Sequence, residues 1–367
     1  MNRLTAIGLA SLVAYGLLIA SKYTGMVSAA RDERSPQIAS HDAPSSGNSG
    51  VQALRPEPRQ ATLASLPAPL PRAQVSRMSG VALEFRNTRD LKAFADSLAT
   101  RAGSLSGDER YHLAKALEEC LFATTVNEDL AAYSAKQKRQ FLSGLPNGDA
   151  NNPKRIAAYD AVDSTQRCIG FQNAKLSQKD IDALYSAAAQ QGDPRAQARI
   201  ITAELSKNIG GGGKMGEPGQ NMSGKTDDFS TLVGLLESRD PEATMIVGQF
   251  LAQSAISQNL RIGPPNAEMV PEASAFLGAF TLVACDLGGP ECTNNSHRDL
   301  LQACAYGGYC DAQTFERLYQ DFLASPWSYS LAIKYRALIQ QAIDQHDWAL
   351  IGITPKLASR VSNNPQK

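Results

Sequence analysis

The string Gly219-Gln220-Asn221-Met222-Ser223-Gly224-Lys225-Thr226 has the spacing of a phosphate-binding loop. In such a loop, backbone amides surround a phosphate, the lysine meets the β- and γ-phosphates, and the hydroxyl binds Mg²⁺. That chemistry needs a buried strand leading into the loop. Here the preceding residues are Gly210-Gly211-Gly212-Gly213-Lys214-Met215-Gly216-Glu217-Pro218, which no sheet interior accepts. The apolar run 281–286 resembles a second nucleotide-site strand but reads better as the end of a helix. No alternation of strands and helices marks a parallel sheet. Residues 207–228 therefore read as a flexible Gly-rich loop, with nucleotide binding through 219–226 a remote alternative.

Other candidate chemistry is thinner. His297-Arg298-Asp299-Leu300 has the lettering of a kinase catalytic loop, but Cys304 stands where that loop needs asparagine. Glu118-Glu119 and Asp227-Asp228 are carboxylate pairs. Adjacent helical residues do not face one another, so both pairs read as solvated faces or caps. The four histidines, His41, His112, His297 and His346, show no metal-ligand spacing. His112 reads as a satisfied residue on a helix face. The sequence indicates no catalytic residue, no cofactor and no metal.

Six cysteines remain: Cys120, Cys168, Cys285, Cys292, Cys304 and Cys310. A zinc site wants paired cysteines two to four residues apart. The intervals here are 7 for Cys285–Cys292 and 6 for Cys304–Cys310. Disulfides fit better, in an oxidising compartment. Six cysteines allow 15 pairings, of which Cys120–Cys168, Cys285–Cys292 and Cys304–Cys310 is the first choice. The last pair would close the turn Tyr306-Gly307-Gly308-Tyr309.

The elements that carry these residues read as helices. Asp193-Pro194-Arg195-Ala196 and Asp240-Pro241-Glu242-Ala243 each start one. The aspartate can accept from first-turn amides, and the proline sits where its missing N–H costs nothing. Apolar stripes follow: Ala196, Ile200 and Ala203, then Ala243, Ile246 and Phe250. A helix over 181–189 precedes the first start, and one over 229–237 the second. Asp108, Asp149, Asp193, Asp240 and Asp286 recur at roughly 41–47 residues, within the range of helical-hairpin repeats, about 34–47.

The stretch from Ala187-Ala188-Ala189-Gln190-Gln191-Gly192-Asp193 through Ala198 resembles a Sel-like repeat, the short tetratricopeptide-related class. Residues 237–248 are similar, with Arg239 in place of the glycine. The resemblance implies helical hairpins stacked in a right-handed solenoid that binds partners, usually without catalysis. The cysteines and the insert at 207–228 depart from that pattern.

Further helices are expected on both sides. Asn87 or Thr88 would cap one carrying Leu91, Phe94, Ala95 and Leu98. Asp108 would start one with Tyr111, Ala114, Leu117 and Leu121 on its stripe. Pro146-Asn147-Gly148-Asp149 marks a turn before a helix over 154–162. Ser177 caps a helix over 180–190. Toward the C-terminus, Phe315, Leu318, Tyr319 and Phe322 form one stripe, and Pro326 opens another helix. Trp327 and Trp348 read as core residues. The chain after Ser359 reads as frayed.

The N-terminus looks different. Arg3 precedes an apolar run over 4–20 that ends before Lys22, which suits a signal anchor or a cleaved signal peptide within residues 1–30. Residues 31–80, rich in Ser, Pro, Ala and Arg, read as a disordered tether with polyproline character at 66–71. Residues 1–80 hold eight Lys/Arg against four Asp/Glu, leaving a mildly acidic body in a chain of net charge zero. No basic stripe marks a nucleic-acid interface. Aromatics at 7% favour close helix packing over a β-sandwich.

The expectation is an exported, all-α protein of stacked antiparallel helical hairpins over 81–360. It would be inner-membrane-anchored or periplasmic, and non-catalytic. Its partner would be a protein or peptide of the envelope, with membrane contact through the N-terminal segment. A cell-wall hydrolase on a helical scaffold is the alternative.

Overall fold

Short polar side chains open most of the helices, and their positions explain the boundaries. In the computed structural model, which describes residues 78–353 except 127–128, 211–225, 259, 290–291 and 293–297, Ser79 caps α1 (Gly80–Asn87) by accepting the Ala82 amide. Asp90 caps α2 (Leu91–Ala99), which buries the expected Leu91, Phe94, Ala95 and Leu98. Thr88 and Asn87 fall too early for this cap. Thr88 ends α1 instead, and its hydroxyl takes the Asp90 amide. Ser106 and Glu109 form a reciprocal capping box at α3 (Gly107–Cys120), so Asp108 lies in the first turn rather than at the cap.

Asp129 caps α4 (Leu130–Ser143), and α5 (Asn152–Val162) carries Pro153 in its first turn. Asp163 caps the short α6 (Ser164–Cys168), and Ser177 caps α7 (Gln178–Gln190) as expected. Then follow α8 (Pro194–Gly210), α9 (Thr226–Glu237) and α10 (Pro241–Gln258). Helices α8 and α9 thus extend into the loop expected over 207–228 from both ends. Glu272 caps α11 (Ala273–Asp286), so 281–286 is a helix end. The chain closes with α12 (Arg298–Gly307), the one-turn α13 (Phe315–Leu318) with a π turn over Tyr319–Leu323, and α14 (Pro326–Gln345).

The protein is all-helical among the described residues. Extended pairing there is limited to one antiparallel bridge, Ile262 with Met269. No described helix is long and apolar enough to cross a membrane. The N-terminal apolar run, the tether up to residue 77, His41, His297 and the string 219–225 lie outside the described residues.

Helices α7 and α8 pack as an antiparallel pair, α8 meets α10, α10 meets α11, and α11 meets α14. Two further pairings leave chain order: α3 lies on α7, and α5 lies on α12. The largest core joins α8 to α11, α14 and the turn Trp348–Ile351. Helix α11 sits at its centre and buries Phe276, Gly278, Phe280, Leu282 and Val283. Each buried large apolar side chain contributes about 1.5–3 kcal/mol. Helix α10 approaches α11 closely at Gly248, where a methyl group would overlap the Phe280 ring. A second core joins α1, α2, α3 and α6.

Trp348 packs against the main core. Trp327 does not: at 63% exposure it stands in the first turn of α14 and faces solvent. Periodicity places it beside a stripe. The side chains that α14 buries are Ala332, Tyr335, Ile339, Ala342 and Ile343, and at about 100° per residue Trp327 lies off that face.

Candidate functional site

The two Asp-Pro starts are built alike. Asp193 Oδ1 accepts from the amides of Arg195 and Ala196, both at 3.0 Å. Asp240 Oδ1 accepts from the Ala243 amide at 2.8 Å. Pro194 and Pro241 are the first residues of α8 and α10. Before the first start, Asp193 N–H donates to Ala188 O and Gly192 N–H to Ala189 O, a Schellman closure of α7. Gly192 adopts φ +84° there, and at the equivalent place Arg239 adopts φ +54°. The second closure keeps only the Arg239-to-Leu236 bond, and Asp240 N–H turns to Ser238 Oγ.

These turns support a cluster of charges where α3, α7, α8 and α10 meet. The Arg195 guanidinium donates to Asp193 at 2.5 Å and to Asp108 at 2.6 Å. It also lies over the Tyr111 ring, 4.5 Å from the centroid. Asp108 further faces the buried His112, whose Nδ1 lies 3.1 Å away. Tyr111 donates to Glu242 at 2.7 Å, and Lys115 donates to the same oxygen at 2.6 Å.

Glu242 and Asp108 are held ionised. Crowding by protein raises the Glu242 carboxyl, but the Lys115 charge and hydrogen bond, the Tyr111 hydroxyl and Arg195 reverse this. They hold it at about 2 against an ordinary 4.5. Asp108 is likewise depressed: burial raises it, and bonds from His112 and Arg195 overcome that. Burial, then the neighbouring Glu242, pushes the Tyr111 hydroxyl well up. Proton transfer near neutral pH needs a group that changes charge there. Glu242 and Asp108 instead stay charged between cationic partners that tie α3 to α8 and α10.

Glu118 and Glu119 are not the solvated pair expected from their adjacency. They do point apart, and each enters a joint between helices. Glu118 takes Arg199 and the Tyr185 hydroxyl, the latter at 2.9 Å. Glu119 takes Arg167 at 2.9 and 3.1 Å and Arg298 at 2.7 Å. Arg167 also donates to Phe85 O at 2.6 Å and Thr88 O at 3.1 Å. Arg298, the second letter of the kinase-like string, is thus a structural cation at the start of α12. Asp227 and Asp228 fall in the first turn of α9. His346 ends α14 in a left-handed conformation and faces Glu237 at 3.0 Å.

The cysteines form three pairs, the first-choice set. Cα–Cα separations are 5.2 Å for Cys120–Cys168, 5.2 Å for Cys285–Cys292 and 4.2 Å for Cys304–Cys310. The first pair is flanked by Glu119 and Arg167, so a covalent and an ionic link stand side by side between α3 and α6. No group of His, Cys, Asp and Glu among the described residues could hold a metal ion.

Two clefts open along α5. One, of about 510 Å³, lies between α5 and α12 and includes Ala158, Leu300, Leu301 and the Cys304–Cys310 bridge. Lys154 and Asp311 pair at 2.8 Å at its rim. The other, of about 350 Å³, is lined by Phe141, Arg155, Tyr159 and Tyr306 with Gln137 and Gln140 of α4. Sequence reasoning missed this aromatic cluster. Phe141 and Tyr159 lie on the consecutive helices α4 and α5, but Tyr306 comes from the distant α12, and spacing marks only the turn that begins at Tyr306. Comparison with protein-family models, with curated proteins and with solved structures finds no match.

Proposed function

We propose that this chain is a non-catalytic binding or scaffolding module of an oxidising envelope compartment, tethered through its N-terminal segment. Its partner is a protein or peptide. The reading rests on Trp327. A tryptophan held in solvent at 63% exposure gives up burial, and tryptophan is the side chain most enriched at interface hot spots. Val270 and Met269, 50% and 43% exposed, are further exposed apolar side chains. Val270 lies two residues before Glu272, whose carboxylate takes the hydroxyl of Ser328, the residue after Trp327, at 3.4 Å.

Other features support the same reading. The succession α3, α7, α8, α10, α11, α14 is compatible with layers of a helical-repeat stack of the Sel-like kind, a frame suited to presenting side chains. Three disulfide-distance pairs favour an oxidising compartment.

The test is a photo-crosslinking amino acid at position 270 of the full chain in envelope preparations. A discrete adduct is expected, and Trp327→Ala should reduce its yield at least about tenfold, the scale of one hot spot. An adduct yield unchanged by Trp327→Ala would refute the assignment.

A further inference from the structure

The smaller cleft carries an inference separate from Trp327. Phe141 and Tyr159 stack face to face, 4.2 Å between centroids. Tyr306 meets both edge-on, at 5.8 and 6.0 Å, and remains 59% exposed. Its position is fixed from behind. Arg155 donates to the carbonyls of Ala305 at 3.0 Å and Tyr306 at 3.3 Å, and the Cys304–Cys310 link ties down the flanking turn. An exposed ring held this firmly loses little entropy when a ligand covers it.

The polar lining narrows the ligand. Arg155 supplies the lining's cation, and its guanidinium is already committed to those carbonyls and, at 3.6 Å, to Asp149. The side-chain amides of Gln137 and Gln140 have no hydrogen-bond partner among the described residues. What the cleft offers is one aromatic platform and neutral donors and acceptors. Charged ligands gain nothing from such a lining. A sugar ring matches it, with C–H faces for the tyrosine and hydroxyls for the amides. The volume, about 350 Å³, falls at the small end of ligand sites, roughly 300–1,000 Å³.

We propose that the cleft between α4, α5 and α12 binds a neutral saccharide, with Tyr306 as the stacking platform and Gln137 and Gln140 as the hydroxyl-reading groups. Within an envelope compartment the ligand is a glycan strand. The site stands independently of the protein contact at Trp327.

The experiment titrates the full chain with an N-acetylglucosamine tetramer and with cellotetraose, followed by calorimetry and by chemical-shift mapping. Saturable binding of at least one tetrasaccharide is expected, with shifts centred on Tyr306. Tyr306→Ala should weaken it at least about tenfold, the scale of a lost aromatic contact. Tyr306→Phe should stay within about threefold, and Trp327→Ala should leave it unchanged. Mapping on the unaltered chain decides the matter if Tyr306→Ala fails to fold. The proposal is overturned if neither tetrasaccharide binds, or if binding ignores Tyr306→Ala. Decaproline occupying the cleft while saccharide fails to compete would overturn it in favour of a peptide site.

Discussion

Replacing Glu119 by glutamine removes a charge and almost no volume. Glu119 is 16% exposed and Arg167 10%, so their pairing is poorly screened. Taking one partner from a buried pair costs about 3–5 kcal/mol, because the other charge is left without compensation. Arg167 keeps its bonds to Phe85 O and Thr88 O, and the glutamine carbonyl keeps one more. The lower end of that range, about 3 kcal/mol, is therefore expected. For a body of this size each kcal/mol lowers the midpoint by about 2–4 °C, giving a drop of about 6–12 °C. At pH 7 without reductant, far-UV circular dichroism reads both: urea unfolding gives the free-energy loss and a thermal melt gives the midpoint shift. Lys92→Met is the comparison: it breaks an exposed pair with Asp96 and should cost under about 0.5 kcal/mol. Adding Arg167→Met to Glu119→Gln should cost less than the two single losses together, since the stranded charge goes with the side chain. A Glu119→Gln protein within 0.5 kcal/mol of the parent, or a double variant worse than the sum, would refute the reasoning.

Four more outcomes are expected. Opening the Cys120–Cys168 link, which closes 48 residues, should cost about 4 kcal/mol, against about 2.4 for the short Cys285–Cys292 and Cys304–Cys310 loops; denaturant titration of Cys-to-Ala pairs should give that ranking. Gly248→Ala should destabilise by about 1–2 kcal/mol in thermal melts, the overlap with Phe280 exceeding the helix-propensity gain. Glu242 has a folded pKa of about 2, below its ordinary 4.5, so its stabilisation is present above about pH 4.5 and is lost as pH falls toward 2. Melts of Glu242→Gln should accordingly show a flatter acid limb, and the 37% exposure of this side chain keeps the effect modest. Arg239→Gly should relieve its left-handed strain, about 1 kcal/mol, and lose an exposed pair with Asp344, for a net change between about 0 and +1 kcal/mol in stability.

What was legible in the chain was local. Ser177, Asp193 and Asp240 announced helix starts because capping depends on residues two or three apart. The disulfides were legible because two of the three close loops of six or seven residues. The all-helical character followed from periodicity and small residues. What was not legible was long-range. Nothing in Glu118-Glu119 says that Arg199, Arg167 and Arg298 arrive to meet them, so a solvated face was the natural reading. Trp327 looked like core because spacing alone does not say which face a helix buries, and α14 buries the face of Ala332, Tyr335 and Ile339. The aromatic cleft depends on three helices brought together by tertiary packing, and no window of sequence contains it.

That α5 rests on α12 bears on how the chain comes to be made. Arg155 reaches Ala305 across 150 residues. Until α12 has emerged, the apolar side of α5 is covered only in part, by Phe141 of α4 on Tyr159, and lacks Cys304 and Ala305. A vectorially delivered polypeptide would present that surface for the whole interval. Pairings this distant are slow to close, and uncovered apolar surface invites association. Truncation before residue 298 should accordingly leave an aggregation-prone product.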